Sequence, residues 1–115
     1  MQAFDVQAGL LKVLAHPTRL HILAILSQDE ACVCHLTTVI GQRQANISQH
    51  LMVLREAGLV QDRKDGVLVY YRLADQHIPE TVAMLSEVVH VNKAIELPKI
   101  PPSPVPGCPC PKCKS

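Results

Sequence analysis

Apolar residues recur at helical spacing along most of this chain and change to a strand-like pattern once, past its middle. Ile47, Leu51 and Leu54 stand at i, i+4 and i+7, one face of a helix that begins in an amide- and hydroxyl-rich segment: Gln42, Gln44, Asn46, Ser48 and Gln49. Ala57-Gly58 predicts where that helix stops, because a left-handed residue is favoured there. Two β-prone runs, 60–63 and 67–73, then flank Asp65-Gly66, a dipeptide suited to a tight hairpin turn. With the apolar stripe inward, a step of about 100° per residue turns Ala45, Gln49 and Met52 outward and leaves Asn46 and Ser48 on the flanks. A polar-faced helix followed at once by a basic hairpin is what a winged helix-turn-helix reader of duplex DNA needs. Amides and hydroxyls on the first half of the helix suit base edges. Arg63 and Lys64 near the hairpin tip, and Arg72 near its base, suit phosphate.

The other helical stretches fit around this pair. Phe4, Leu10, Leu11 and Leu14 predict a short amphipathic helix over 4–14, interrupted by Gly9. Pro17 suits the first turn of a second helix over 18–27, apolar on most sides and therefore central. Gln28-Asp29-Glu30 reads as the acidic start of a third helix, with Val33, Leu36, Val39 and Ile40 inward and Gly41 at its end. A longer helix is expected over 75–96, with Pro79 in its first turn. Its stripe of Ile78, Val82, Leu85 and Val89 is widened by Met84, Val88, Val91 and Ile95, more than one face of a small domain needs. Packing against the first helix and a second subunit would use that width. The expectation is a mostly α fold with a small β-hairpin, dimerised through the first and last helices. It occupies residues 1–96, and residues 97–115 form a Pro/Cys-rich flexible tail holding seven of the nine prolines.

Composition changes this picture little. Aromatics are 3% of the chain, so the core is aliphatic. Net charge is only +1, but residues 42–73 carry five cations (Arg43, Arg55, Arg63, Lys64, Arg72) against Glu56, Asp62 and Asp65, a local +2. No apolar run approaches the roughly 18 residues of a membrane span. The first residues lack an export pattern, so the expected location is the cytoplasm and no membrane partner is expected. No nucleophile–base spacing or phosphate-binding glycine loop argues for an enzyme, and no catalytic cofactor is implied. Five cysteines in two groups, Cys32 and Cys34, then Cys108, Cys110 and Cys113, favour reduced thiols over a disulfide framework.

Three segments, LAHPTRLHILAIL at 14–26, ACVCHL at 31–36 and ANISQHLMVLREAGLVQDRKDGVLVYYRL at 45–73, resemble the ArsR/SmtB family of metal-responsive winged-helix repressors. The resemblance covers roughly residues 5–95. It implies a homodimer on an inverted-repeat operator of double-stranded DNA, released when an inducer binds. Carried across by position, the family's base contacts fall at Gln44, Ser48 and Gln49, with Asn46 and His50 beside them; these agree with the outward face derived above, His50 being the weakest on geometry.

Cys32-Val33-Cys34 looks like the sensor motif of the family's arsenite and soft-metal branch. Thiolates are soft ligands and select soft ions over magnesium or calcium. Positions i and i+2 lie about 200° apart on an ideal helix, so a shared ion requires a distorted helix start. Two departures from the family motif stand out: His35 replaces an acidic residue, and Thr37 replaces a third cysteine. As(III) or Sb(III) is expected to want three sulfurs, and Cd or Pb three or four. Cys108, Cys110 or Cys113 could complete the set, since 13 residues from Ile95 to Cys108 span up to roughly 40 Å when extended. The resemblance thus implies an inducer such as As(III)/Sb(III) or another soft ion (Cd, Pb). A thiol redox or persulfide sensor on the same fold, and a metal-buffering protein using the tail, are the alternatives. The family's second sensor site would begin at Asp75 and His77, but its later ligands fall on Val88 and Val91. That site is expected to be absent, Asp75 and His77 serving as a helix cap and a surface histidine. His16 and His21 are read as structural.

Overall fold

The structure, a computed structural model, describes residues 2–93, with side chains described as far as Val88. The tail 97–115 with Cys108, Cys110 and Cys113, and the side chains of Val89, His90, Val91 and Ile95, lie outside the described residues. The chain runs α1 (Gln2–Leu14), α2 (Pro17–Leu26), β1 (Ala31–Cys32), α3 (Val33–Ile40), α4 (Gln44–Glu56), β2 (Val60–Asp65), β3 (Leu68–Leu73) and α5 (His77–Lys93).

Helix α2 is the centre of the fold, as its all-round apolar pattern requires. Ile22 and Leu23 are fully buried and meet Leu36 of α3 and Ile47, Leu51 and Leu54 of α4 in one core. Each such aliphatic side chain contributes about 1.5–3 kcal/mol by leaving water. His16 starts α2: its ring Nδ1 accepts from the Thr18 amide at 3.2 Å, and Pro17 occupies the first turn. α1 meets α2 at 90° and continues through Gly9, which interrupts nothing. Both α1 and α5 pack on α2. From α5, Val82 is buried while Ile78 lies partly buried against the core.

Helices α3 and α4 are joined by a short turn whose geometry is set by Gly41. Its φ of 76° ends α3 with a left-handed residue, its amide bonding to the Thr37 carbonyl at 2.8 Å. In that turn Gln42 Nε2 donates to the buried Thr18 hydroxyl at 2.8 Å, tying it to the start of α2. At the far end of α4, the Leu59 amide bonds to the Leu54 carbonyl and the Gly58 amide to the Arg55 carbonyl, with Gly58 at φ 79°. This double closure sends the chain directly into the hairpin.

The β region departs from the expected hairpin in two ways. Residues 28–30 do not begin α3; they lead into β1, which pairs antiparallel with β3 through Ala31↔Tyr71 and Cys32↔Tyr70. The sheet is therefore three-stranded, in the order β1-β3-β2. The turn residues are Gly66 and Val67 rather than Asp65 and Gly66, because Asp65 still pairs with Leu68. The first difference is one of long-range pairing: a two-residue strand exists only because β3 offers it a free edge.

Candidate nucleic-acid interface and thiol site

Helix α4 presents the outer face expected of it. Gln44, Ala45, Asn46, Gln49 and Met52 are exposed, and Ser48 is half-buried on the flank. His50 turns the other way. Its Nδ1 accepts from Arg19 Nε at 3.2 Å, and its ring lies 4.2 Å, centroid to centroid, from that of His16. Arg19 also donates to the Val13 carbonyl, so this cluster links α1, α2 and α4. Burial, then the neighbouring His16 and Arg19 charges, push the His50 pKa down. His50 is thereby engaged with α2 and lies off the outward face of α4.

The wing carries Lys64 exposed and Arg63 engaged. Arg63 forks onto Glu30, Nε donating to Oε2 at 3.0 Å and Nη2 to Oε1, and Asp65 lies 4.0 Å away. The same guanidinium stacks 4.6 Å above the Tyr70 ring. The hydrogen bond to Glu30 is the main reason its pKa is raised further. Two other wing-region cations also have partners: Arg72 donates to Gln61 at 3.2 Å, and Arg55 pairs with Asp62 at 3.5 Å. Sequence reasoning gave Glu30 and Tyr70 no place at the wing. The acidic residue two positions before Cys32 was a visible signal, but its reach to the wing depends on β1 joining the sheet.

The thiol pair lies just behind this latch. Cys32 is the last residue of β1 and the N-cap of α3, in extended backbone (φ −81°, ψ 166°), while Cys34 is in the first turn of the helix. The two sulfurs are joined as a disulfide in the structure, with Cα atoms 5.4 Å apart. The 200° separation of an ideal helix never arises, because Cys32 is not helical. No distortion is needed to bring both sulfurs to one point. Cys32 Sγ also accepts from the His35 amide at 3.3 Å, so the positive end of α3 faces it. Cys32 is buried against Tyr70, and Cys34, Val39 and Leu68 pack around them. Cys34 is half-buried and gives the pair its access to solvent.

No third ligand is assembled nearby among the described residues. Thr37, at the position of the family's third cysteine, uses its hydroxyl on the Val33 carbonyl at 2.8 Å. Among the described residues no three His, Cys, Asp or Glu side chains are grouped to hold a metal ion. Asp75 and His77 form a cap: Asp75 Oδ1 takes the His77 amide at 2.7 Å and lies 2.8 Å from its Nδ1. The backbone amide, then the ring, hold the Asp75 carboxyl below its ordinary pKa. Phe4, Val6, Leu11, Met84 and Val88 leave exposed apolar surface on α1 and α5.

Comparison with known proteins agrees with this geometry. Residues 16–62 match the family described as bacterial regulatory protein, arsR family. The chain is 51% identical over 84 residues to the arsenical resistance operon repressor of Escherichia coli K12, covering 72% of this chain and 71% of that one. The crystal structure of Mycobacterium tuberculosis Rv0081 superposes with a TM-score of 0.76 at 34% identity, over 82% of this chain and 95% of that one. A solution structure of the homodimeric winged helix-turn-helix domain Mb0332 from Mycobacterium bovis gives a TM-score of 0.72 at 29% identity. It covers 85% of this chain and 92% of that one.

Proposed function

The chain belongs to the arsR family of bacterial regulatory proteins, and from that premise we propose a repressor that holds operator DNA and releases it when a soft thiophilic ion, As(III) or Sb(III) foremost, binds Cys32 and Cys34. The observation that carries the inducer reading is the convergence of the two sulfurs at the start of α3, the helix packed on α4. A ligand there acts one helix away from the DNA-reading face. The arsenical resistance repressor at 51% identity supports arsenic as the first ion to test.

Gln44, Asn46, Ser48 and Gln49 are assigned to base edges, and Lys64 with Arg63 to phosphate. The exposed apolar residues of α1 and α5 support a homodimer that places two copies of α4 on an inverted repeat. A soft ion on two thiolates lacks a third sulfur, and Cys108, Cys110 and Cys113 are assigned as its source. Arsenite binding would release one water per Cys–S–As bond formed, each thiol giving its proton to the departing hydroxide. Coupling free energies of about 1–3 kcal/mol, or 5–150-fold in operator affinity, are enough for such a switch.

A second reading, a thiol redox or persulfide sensor, is favoured by the joined sulfurs and their 5.4 Å Cα separation, which suits a disulfide. Anaerobic titration of the reduced protein with arsenite, antimonite, cadmium, lead and, separately, an oxidant distinguishes the two while operator release is followed. Release by the soft ions, lost in Cys32→Ser and Cys34→Ser, is expected. Release by oxidant alone would transfer the assignment to the redox reading.

A further inference from the structure

Glu30 sits at the junction of the two sites. Through Cys32↔Tyr70, strand β1 is hydrogen-bonded to the wing strand β3 immediately behind the thiol pair. Two residues before Cys32, the Glu30 carboxylate is forked by Arg63, whose guanidinium also covers Tyr70. Arg63, Glu30, Tyr70 and Cys32 thus form one contact chain: guanidinium to carboxylate, guanidinium to the Tyr70 ring, and Tyr70 packed with Cys32. The Glu30 side chain is 21% exposed and that of Arg63 46%, so the guanidinium remains within reach of solvent and of a competing anion.

We propose that Glu30 is a positioning residue that competes with DNA phosphate for Arg63, and that this latch couples the wing to the thiol pair. Arg presents the same planar fork to a carboxylate and to a phosphate, and one fork cannot serve both fully. With the latch closed, β1 is held against β3 and Cys32 is pre-set beside Cys34. A ligand that bridges the sulfurs then meets a prepared pair. Coupling is reciprocal, so a ligand that prefers the closed latch also strengthens it and withdraws Arg63 from phosphate. Release of DNA follows from loss of a wing contact as well as from any movement of α4. This rests on the repressor reading above for its DNA arm, but not for its thiol arm.

The thiol arm uses full-length reduced protein without DNA and phenylarsine oxide as probe, followed by anaerobic calorimetry. The probe condenses with two thiols, its oxygen leaving as water with both thiol protons. Glu30→Gln and Arg63→Gln should each weaken the probe about fivefold or more, and the double variant should lose no more than either alone. Far-ultraviolet circular dichroism checks folding, and Arg63→Lys, which keeps the charge but not the fork, should lie between wild type and Arg63→Gln. Wild-type probe affinity in folded Glu30→Gln would overturn the proposal. In the DNA arm, Glu30→Gln should tighten operator binding and steepen its salt dependence by up to about 0.9 per freed Arg63. That gain should vanish in the Arg63→Gln background. The same gain in that background would mean a general charge effect and would also overturn the latch. Failure of the repressor reading looks different: wild type itself would show no operator binding, while the probe titration still judges the latch.

Discussion

Replacing Gly41 by Ala isolates the backbone term that sets the angle between α3 and α4. Gly41 has φ 76° and ψ 26°, and a Cβ built there meets nothing within 4 Å. No clash with atoms beyond the chain neighbours therefore contributes, and the effect is the local strain of a Cβ against its own backbone. An L-residue with Cβ in the left-handed region costs about 1–2 kcal/mol. Loss of glycine's freedom in the unfolded chain offsets about 0.4–1 kcal/mol of that. The expected net loss is about 1 kcal/mol, or roughly 4–8 °C in Tm for a domain of this size. Gly41→Asn should lose distinctly less, since asparagine tolerates this conformation. Urea and thermal unfolding of the three proteins at one protomer concentration measure the difference; a fixed concentration is needed because dimer dissociation shifts apparent stability. Unchanged stability in Gly41→Ala, or equal losses in Ala and Asn variants, would refute the reasoning. The second result would place the cost in side-chain crowding that the open surroundings exclude.

Other outcomes follow from the same geometry. Gln49→Ala should weaken specific operator binding by about 1–3 kcal/mol while leaving binding to unrelated duplex nearly unchanged, measured by competition at fixed salt. Truncation after Leu97 should lower affinity for arsenite if tail thiols complete the site, and calorimetry on the reduced protein reads this directly; unchanged affinity would confine the site to Cys32 and Cys34. The His50 pKa lies below its ordinary 6.5, first through burial. The unfolded chain therefore binds the proton more readily, and stability should be full above about pH 6.5 and fall as pH drops below it. His21, lowered by burial, acts in the same direction. Urea midpoints between pH 7.5 and 5 should show this loss, and His50→Gln should make it shallower.

What the chain alone determined is whatever depends on local periodicity. Ile47, Leu51 and Leu54 proved wholly buried because their spacing permits only one helix face to be apolar. Gly41 and Gly58 ended their helices because only residues comfortable at positive φ can close those carbonyls. The outward positions Ala45, Gln49 and Met52, with Asn46 on the flank, follow from the same 3.6-residue repeat. The partners of His50 did not follow from it: Arg19 and His16 are distant in sequence, and only folding brings α2 to α4. The thiol site shows the division most clearly. Two soft ligands at i and i+2 were legible as a motif, yet helical geometry alone kept them apart. Tertiary structure decided otherwise by adding Ala31–Cys32 to the free edge of β3, which holds Cys32 in extended backbone. That pairing joins residues some 40 positions apart, and no local pattern encodes it. It also brings Glu30 to Arg63, so the acidic turn expected to open α3 instead grips the wing.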